Sequence, residues 1–153
     1  MRRPKKILLT TTFVVAGILV AFVLLDGTVM GTLLGKVTLP NLGTVKATGV
    51  GVYWDSDCKN SVTSVNWGTV EPGSTNDVKV YIRNEGNAAE TLSSTAENWN
   101  PSTASMYMSL SWDYGGQVIG VGGVVPVTLS LSVSASITGI TSFSFDIVII
   151  GSD

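Results

Sequence analysis

Val125, Val127, Leu129, Leu131 and Val133 alternate with Pro126, Thr128, Ser130, Ser132 and Ser134. A period of two held over ten residues predicts a strand with one buried and one polar face. Phe143, Phe145, Ile147 and Ile149 alternate with Ser142, Ser144, Asp146 and Val148 in the same way. A third alternation sets Val78, Val80 and Ile82 against Lys79, Tyr81 and Arg83, between Pro72-Gly73 and Asn84-Glu85-Gly86-Asn87. With Val65 and Trp67 ahead of it, this stretch reads as a half-buried antiparallel hairpin around which the rest of the chain is organised.

Upstream, Thr44 to Trp54 predicts a single first strand, with Val50, Val52 and Trp54 on one face and Gly49, Gly51 and Tyr53 on the other. Glu90 to Ala96 and Met106 to Asp113 add further strands, the latter aligning Met108, Leu110 and Trp112. Asp55 to Asn60 and Glu97 to Ser102 read as loops. The expected fold class is all-β, an immunoglobulin-like two-sheet sandwich of about seven strands over residues 44–153.

Near the C-terminal end the alternation fails, because Ile147, Val148, Ile149 and Ile150 are apolar on both faces. Val148 and Ile150 therefore call for a cover, either the apolar segment Val29 to Leu42 folding back or a second subunit. The N-terminal end departs from the pattern more strongly. Ile7 to Leu25 carries no charge and follows Arg2, Arg3, Lys5 and Lys6. At 1.5 Å per residue it is about 28 Å long as a helix, enough to cross a bilayer. The positive-inside rule places the N-terminus in the cytoplasm and the body outside. A cleaved signal segment, cut after Gly31, is the competing reading. The expected organisation is a basic flank and transmembrane anchor at 1–26, an apolar stalk at 27–43 and the sandwich at 44–153. Gly27, Gly31 and Gly35 recur every four residues, either as a smooth stripe on a helix or as the loosening of a flexible stalk.

Composition agrees with β structure: 44% of residues are hydrophobic, only 13% are charged, and there are 17 glycines. The net charge of -2 conceals a split, for beyond the basic flank five basic residues stand against eleven acidic ones. An acidic body without a Lys/Arg cluster lacks the footprint that neutralises phosphates, so no nucleic-acid partner is expected. The chain has no His, which removes imidazole from its possible bases and metal ligands. Cys58 is alone, makes no intrachain disulfide, and is expected as a small buried hydrophobe.

Val50-Gly51-Val52-Tyr53-Trp54-Asp55-Ser56-Asp57-Cys58, the Trp67 hairpin, Asn98-Trp99-Asn100-Pro101, Leu110-Ser111-Trp112, Pro126-Val127-Thr128-Leu129 and Ser142-Phe143-Ser144-Phe145-Asp146 together resemble a group of archaeal membrane-anchored proteins. Members of that group pair one N-terminal membrane segment with one immunoglobulin-like β-sandwich. The Trp67 hairpin is also similar to Hydin-like and major-sperm-protein-like modules. The resemblance covers most of residues 44–150. It implies an archaeal envelope location and brings no catalytic residues.

No catalytic, cofactor-binding or metal residue is assigned. No G-x-S-x-G motif occurs. Asp55-x-Asp57 followed by Asn60 offers oxygens to Ca²⁺ but departs from the D-x-[DN]-x-[DN]-G loop at Lys59 and Asn60, so a solvated loop is the favoured reading. Trp54 and Trp112 fall on apolar faces and are expected in the core with Trp67, which leaves Trp99, in a loop beside Pro101, either as the candidate for surface recognition or as a cap on the end of the sandwich. The expected function is a non-enzymatic surface structural or adhesion module, anchored through Ile7 to Leu25. The alternative is a secreted filament subunit that adds a strand to its neighbour. In either case the expected partners are envelope proteins or further copies.

Overall fold

Every alternation named above forms a strand, and the strands divide between two layers. The computed structural model describes residues 41–153. The expected basic flank, the transmembrane segment and nearly all of the stalk lie outside the described residues. Among the described residues there are eight strands: β1 (Leu42–Thr48), β2 (Val50–Tyr53), β3 (Ser64–Asn66), β4 (Thr75–Asn84), β5 (Thr91–Asn100), β6 (Met108–Trp112), β7 (Val124–Val133) and β8 (Ser144–Ser152). A short 3-10 helix, Ser102–Met106, joins β5 to β6. One sheet has the order β3-β1-β8-β5 and the other β2-β4-β7-β6. Between them lie Trp67, Val80, Ile82, Val127, Leu129, Leu131, Phe145, Ile147 and Ile149, all buried. The fold is all-β, with two sheets of four strands.

The single strand expected from Thr44 to Trp54 is broken at Gly49, whose φ of 76° belongs to the left-handed region where a Cβ is unfavourable. β1 pairs in parallel with β8, from Leu42 opposite Ser144 to Thr48 opposite Ile150. β2 pairs antiparallel with β4 in the other sheet, beginning with Val50 opposite Asn84. The chain thus runs up one sheet, turns at Gly49 and runs down the other. This split raises the strand count from the expected seven to eight. Two residues of the expected stalk, Leu42 and Gly43, belong to β1.

The organising hairpin is also corrected. β3 lies in the sheet of β1 and β4 in the opposite sheet, so the segment from Trp67 to Ser74 bridges the layers. Its turn forms as Pro72-Gly73 predicts, with Ser74 N–H donating to Glu71 C=O at 3.0 Å and Gly73 at φ 77°. Trp67 is buried and its ring lies 6.2 Å from that of Phe145. Period-two alternation reports which face is buried but not which strand lies beside it, so both pairings suit the sequence equally.

Pro126 sits opposite Tyr81, beyond the end of β6, whose last partner on β7 is Leu129. A missing N–H is tolerated on that open side of β7. β8 is internal, between β1 and β5, so the sheet-edge hazard expected for Val148 and Ile150 does not arise through the backbone. Val148 is half-buried and Ile150 exposed, on an outer face shared with Lys46, Thr48, Ser93 and Thr95.

Candidate functional site: the two poles of the sandwich

β1, β4 and β8 all end at one pole, here called the Gly49 pole, and begin at the other, where Asn41 leads into the sandwich. Asn41 is buried and ties three segments together. Its Nδ2 donates to Gly68 C=O at 2.9 Å, its C=O accepts from Trp67 N–H at 3.0 Å, and its Oδ1 accepts from Phe143 N–H at 3.4 Å. Beside it lies an aromatic stack. Trp99 lies 4.2 Å from Phe145 at an interplanar angle of 13°, and Phe143 lies 6.1 Å from Phe145. A cleft of about 200 Å³, lined among others by Asn41, Glu71, Pro72, Met108, Ile140 and Phe143, opens at this pole.

Trp99 is therefore a packing residue at the end of the sandwich, the second of its two expected places, rather than a surface recognition residue. Alternation along β5 would turn Asn98 inward, but the pairing with β8 shifts between Glu97 and Asn100, and Asn98 has a φ of 53°. The bulge turns Trp99 onto Phe145 and sends Asn98 outward, where its Nδ2 donates to Asp146 at 2.6 Å. Trp54, expected in the core, is 44% exposed because β2 ends at Tyr53 and the chain leaves the sheet. Trp112 is half-buried, tilted against Tyr114 with ring centroids 5.3 Å apart.

The Asp55 loop spends its oxygens on itself. Asp55 accepts from Lys59 N–H at 3.1 Å, Asn60 N–H at 2.8 Å and Asn60 Nδ2 at 2.9 Å. These bonds, the Lys59 amide foremost, hold its carboxyl below the usual value. Asp57 pairs with Lys59 at 3.1 Å in solvent. Among the described residues no group of three or more acidic or sulfur ligands converges. Cys58 is half-buried at φ 55° rather than in the core, because the turn between Asp55 and Asn60 lies outside the two layers. Desolvation pushes its thiol upward, away from the reactive thiolate.

The Gly49 pole is built differently. Gly49 C=O accepts from Glu85 N–H at 3.2 Å, and Asn84 Nδ2 donates to Ala88 C=O at 2.7 Å and Ile119 C=O at 2.9 Å. Glu90 pairs with Ile119 through both backbone groups, which moors the loop between β6 and β7. The Glu90 side chain is buried against Gly49, Gly86 and Gly151, and its Oε2 has no hydrogen-bond partner. Tyr53 O–H donates to Glu85, and this bond holds the phenol above its ordinary value. Four exposed apolar side chains lie toward this end: Val118, 67% exposed, and Val121, 62%, ahead of β7, Val124, 41%, on the outer face of the β7 sheet, and Ile150, 42%, on that of the β8 sheet. Sequence reasoning missed Glu90 and this valine group. The Gly-rich run Val118-Ile119-Gly120-Val121-Gly122-Gly123-Val124 was their only signal.

Comparison with protein families, with curated proteins and with solved structures finds no match to this chain.

Proposed function

We propose that the chain is a non-enzymatic structural or adhesion module displayed outside the cell membrane. The observation that carries the reading is polarity of layout. The chain leads into the sandwich at the clamped Asn41 pole, whereas Val118, Val121, Val124 and Ile150 stand exposed at the opposite one. A displayed module needs a tether at one end and a contact face at the other. The uncharged run Ile7 to Leu25 behind four basic residues suits the tether. The order β2-β4-β7-β6 facing a second sheet agrees with an immunoglobulin-like sandwich. The resemblance to archaeal membrane-anchored proteins points the same way. The test is protease treatment of intact cells that express the full chain with a C-terminal tag, together with carbonate extraction of their membranes. The reading expects a tag cleaved from outside and a membrane fragment that resists extraction; a protected, extractable tag rejects it.

A second reading has its own observation. β1 lies parallel to β8 in a sandwich whose other named pairings are all antiparallel. A strand joined to β8 mainly through backbone bonds is the kind of strand that adds to a neighbouring subunit. This favours the filament alternative.

A further inference from the structure

The geometry points to Gly49 as a hinge at which β1 leaves its own sandwich and pairs with β8 of a second copy, two copies exchanging strands through facing Gly49 poles. The inference rests on the strand-addition reading and adds the donated strand, the hinge and the closed two-fold form.

Four observations support it. First, β1 adds little side-chain packing to its own core. Its inward-facing positions are Gly43, which has no side chain, Val45, which is half-buried, and Ala47, which is exposed. Their register partners on β8, Phe145, Ile147 and Ile149, are buried and fill the core beside them. Attachment by backbone pairing and the Asn41 clamp is portable, because a second copy offers the same partners in the same register.

Second, the hinge is conformationally loaded. Gly49 has a φ of 76°, and a Cβ placed there would sit 3.3 Å from Glu90 Oε1 and 3.5 Å from Gly151 O. The buried, unpartnered Glu90 Oε2 packs against the same turn. Such an oxygen is costly to keep from water, and opening the turn exposes it. Third, Gly49 alone joins the two strands, β1 ending at Thr48 and β2 beginning at Val50, so the exchange needs a change at a single residue.

The fourth observation sets the geometry. β2 starts at the Gly49 pole, so a β1 that continues it in line projects out of that pole and runs back towards its own body. β8 ends at the same pole, opposite Thr91. A parallel pairing therefore requires the second copy to present its own Gly49 pole to the first. Both strands then exchange at once, and Val118, Val121, Val124 and Ile150 of each copy are covered by the other.

The test uses the full chain in mild detergent with Lys46→Cys and Val148→Cys in a Cys58→Ser background. Lys46 and Val148 are register partners on β1 and β8. Oxidation is expected to give a disulfide-linked dimer on non-reducing gels. Gly49→Ala, which penalises the bent form at both hinges, is expected to tighten dimerisation on the order of thirtyfold. A ladder of trimers and longer species would overturn the closed pair while leaving filament assembly standing. Only intrachain disulfide, with Gly49→Ala still monomeric at high concentration and merely less stable, would overturn both. A control pair, Lys46→Cys with Lys79→Cys on the opposite sheet, is expected to give no cross-link; a cross-link there would show random collision and overturn the assignment.

Discussion

β7 and β8 hold the same place in their sheets, internal strands that each turn an unbroken apolar face to the core, yet their neighbours differ. β7 lies between β4 and β6, both antiparallel, and β6 reaches it through the connection that follows directly in sequence. β8 lies between β5 and the parallel β1, whose register partners are about a hundred residues distant. Parallel neighbours need long crossovers, and contacts of such separation form only after the intervening chain is ordered. The sheet of β7 is thus secured by packing along four antiparallel strands. The sheet of β8 is secured by an aromatic stack on one side of its core and by backbone pairing to β1, itself an internal strand beside β3.

The largest effects are expected where the β8 sheet keeps its aromatic stack. Trp67→Ala should lower unfolding free energy by about 3 to 5 kcal/mol, the usual range for a large aromatic removed from a packed site, and Trp99→Ala, half-buried but stacked on Phe145, by about 3 kcal/mol. Trp112→Ala, equally half-buried but tilted only against Tyr114, should cost less. Denaturant unfolding of the three variants checks the order, and equal losses would erase the distinction between the sheets.

Next in size is the contact between β1 and the core. A Cβ on Gly43 would stand 2.9 Å from Ile147 Cδ1 and 3.1 Å from Trp67 Nε1. Gly43→Ala is therefore expected to cost about 1 to 3 kcal/mol through overpacking. Amide exchange sharpens the comparison: protection should fall along β1 and β8 but hold along β4 and β7. Uniform loss in both sheets would show that β1 unfolds only with the whole domain.

A smaller effect reports the outer seam of β1 and β8. Lys46 Nζ lies 2.5 Å from Asp146 Oδ2, and this ammonium, followed by the Asn98 amide, holds the Asp146 carboxyl below its usual value. A carboxyl lowered in the folded state adds stability above its unfolded pKa, near 4, and loses it as pH falls through the folded value. Asp146→Asn should therefore lower the melting temperature at pH 7 but leave it unchanged at pH 2. A deficit that persists in acid would assign the effect to packing. Smallest of all, Trp54→Ala should stay within about 0.5 kcal/mol of the parent, as surface changes do. A larger loss would place Trp54 in the fold after all.

Residue pattern alone determined which side chains face inward on the long strands: the alternations of Val125 to Val133 and Phe143 to Ile149 are also the burial patterns of β7 and β8. It determined the Pro72-Gly73 turn as well, since both residues carry their backbone preference with them. Tertiary structure alone decided partners. That Trp67 and β4 serve opposite sheets, that Gly49 bends one apparent strand into two, and that β8 is flanked by β1 depend on contacts far apart in sequence. Periodicity is a property of one strand against one face and is blind to its neighbour. Trp99 and Trp54 show the same limit at single residues. A bulge of the β5 ladder turned the first inward and the end of β2 left the second outside, and both events are set by hydrogen bonding to another strand rather than by the residue itself.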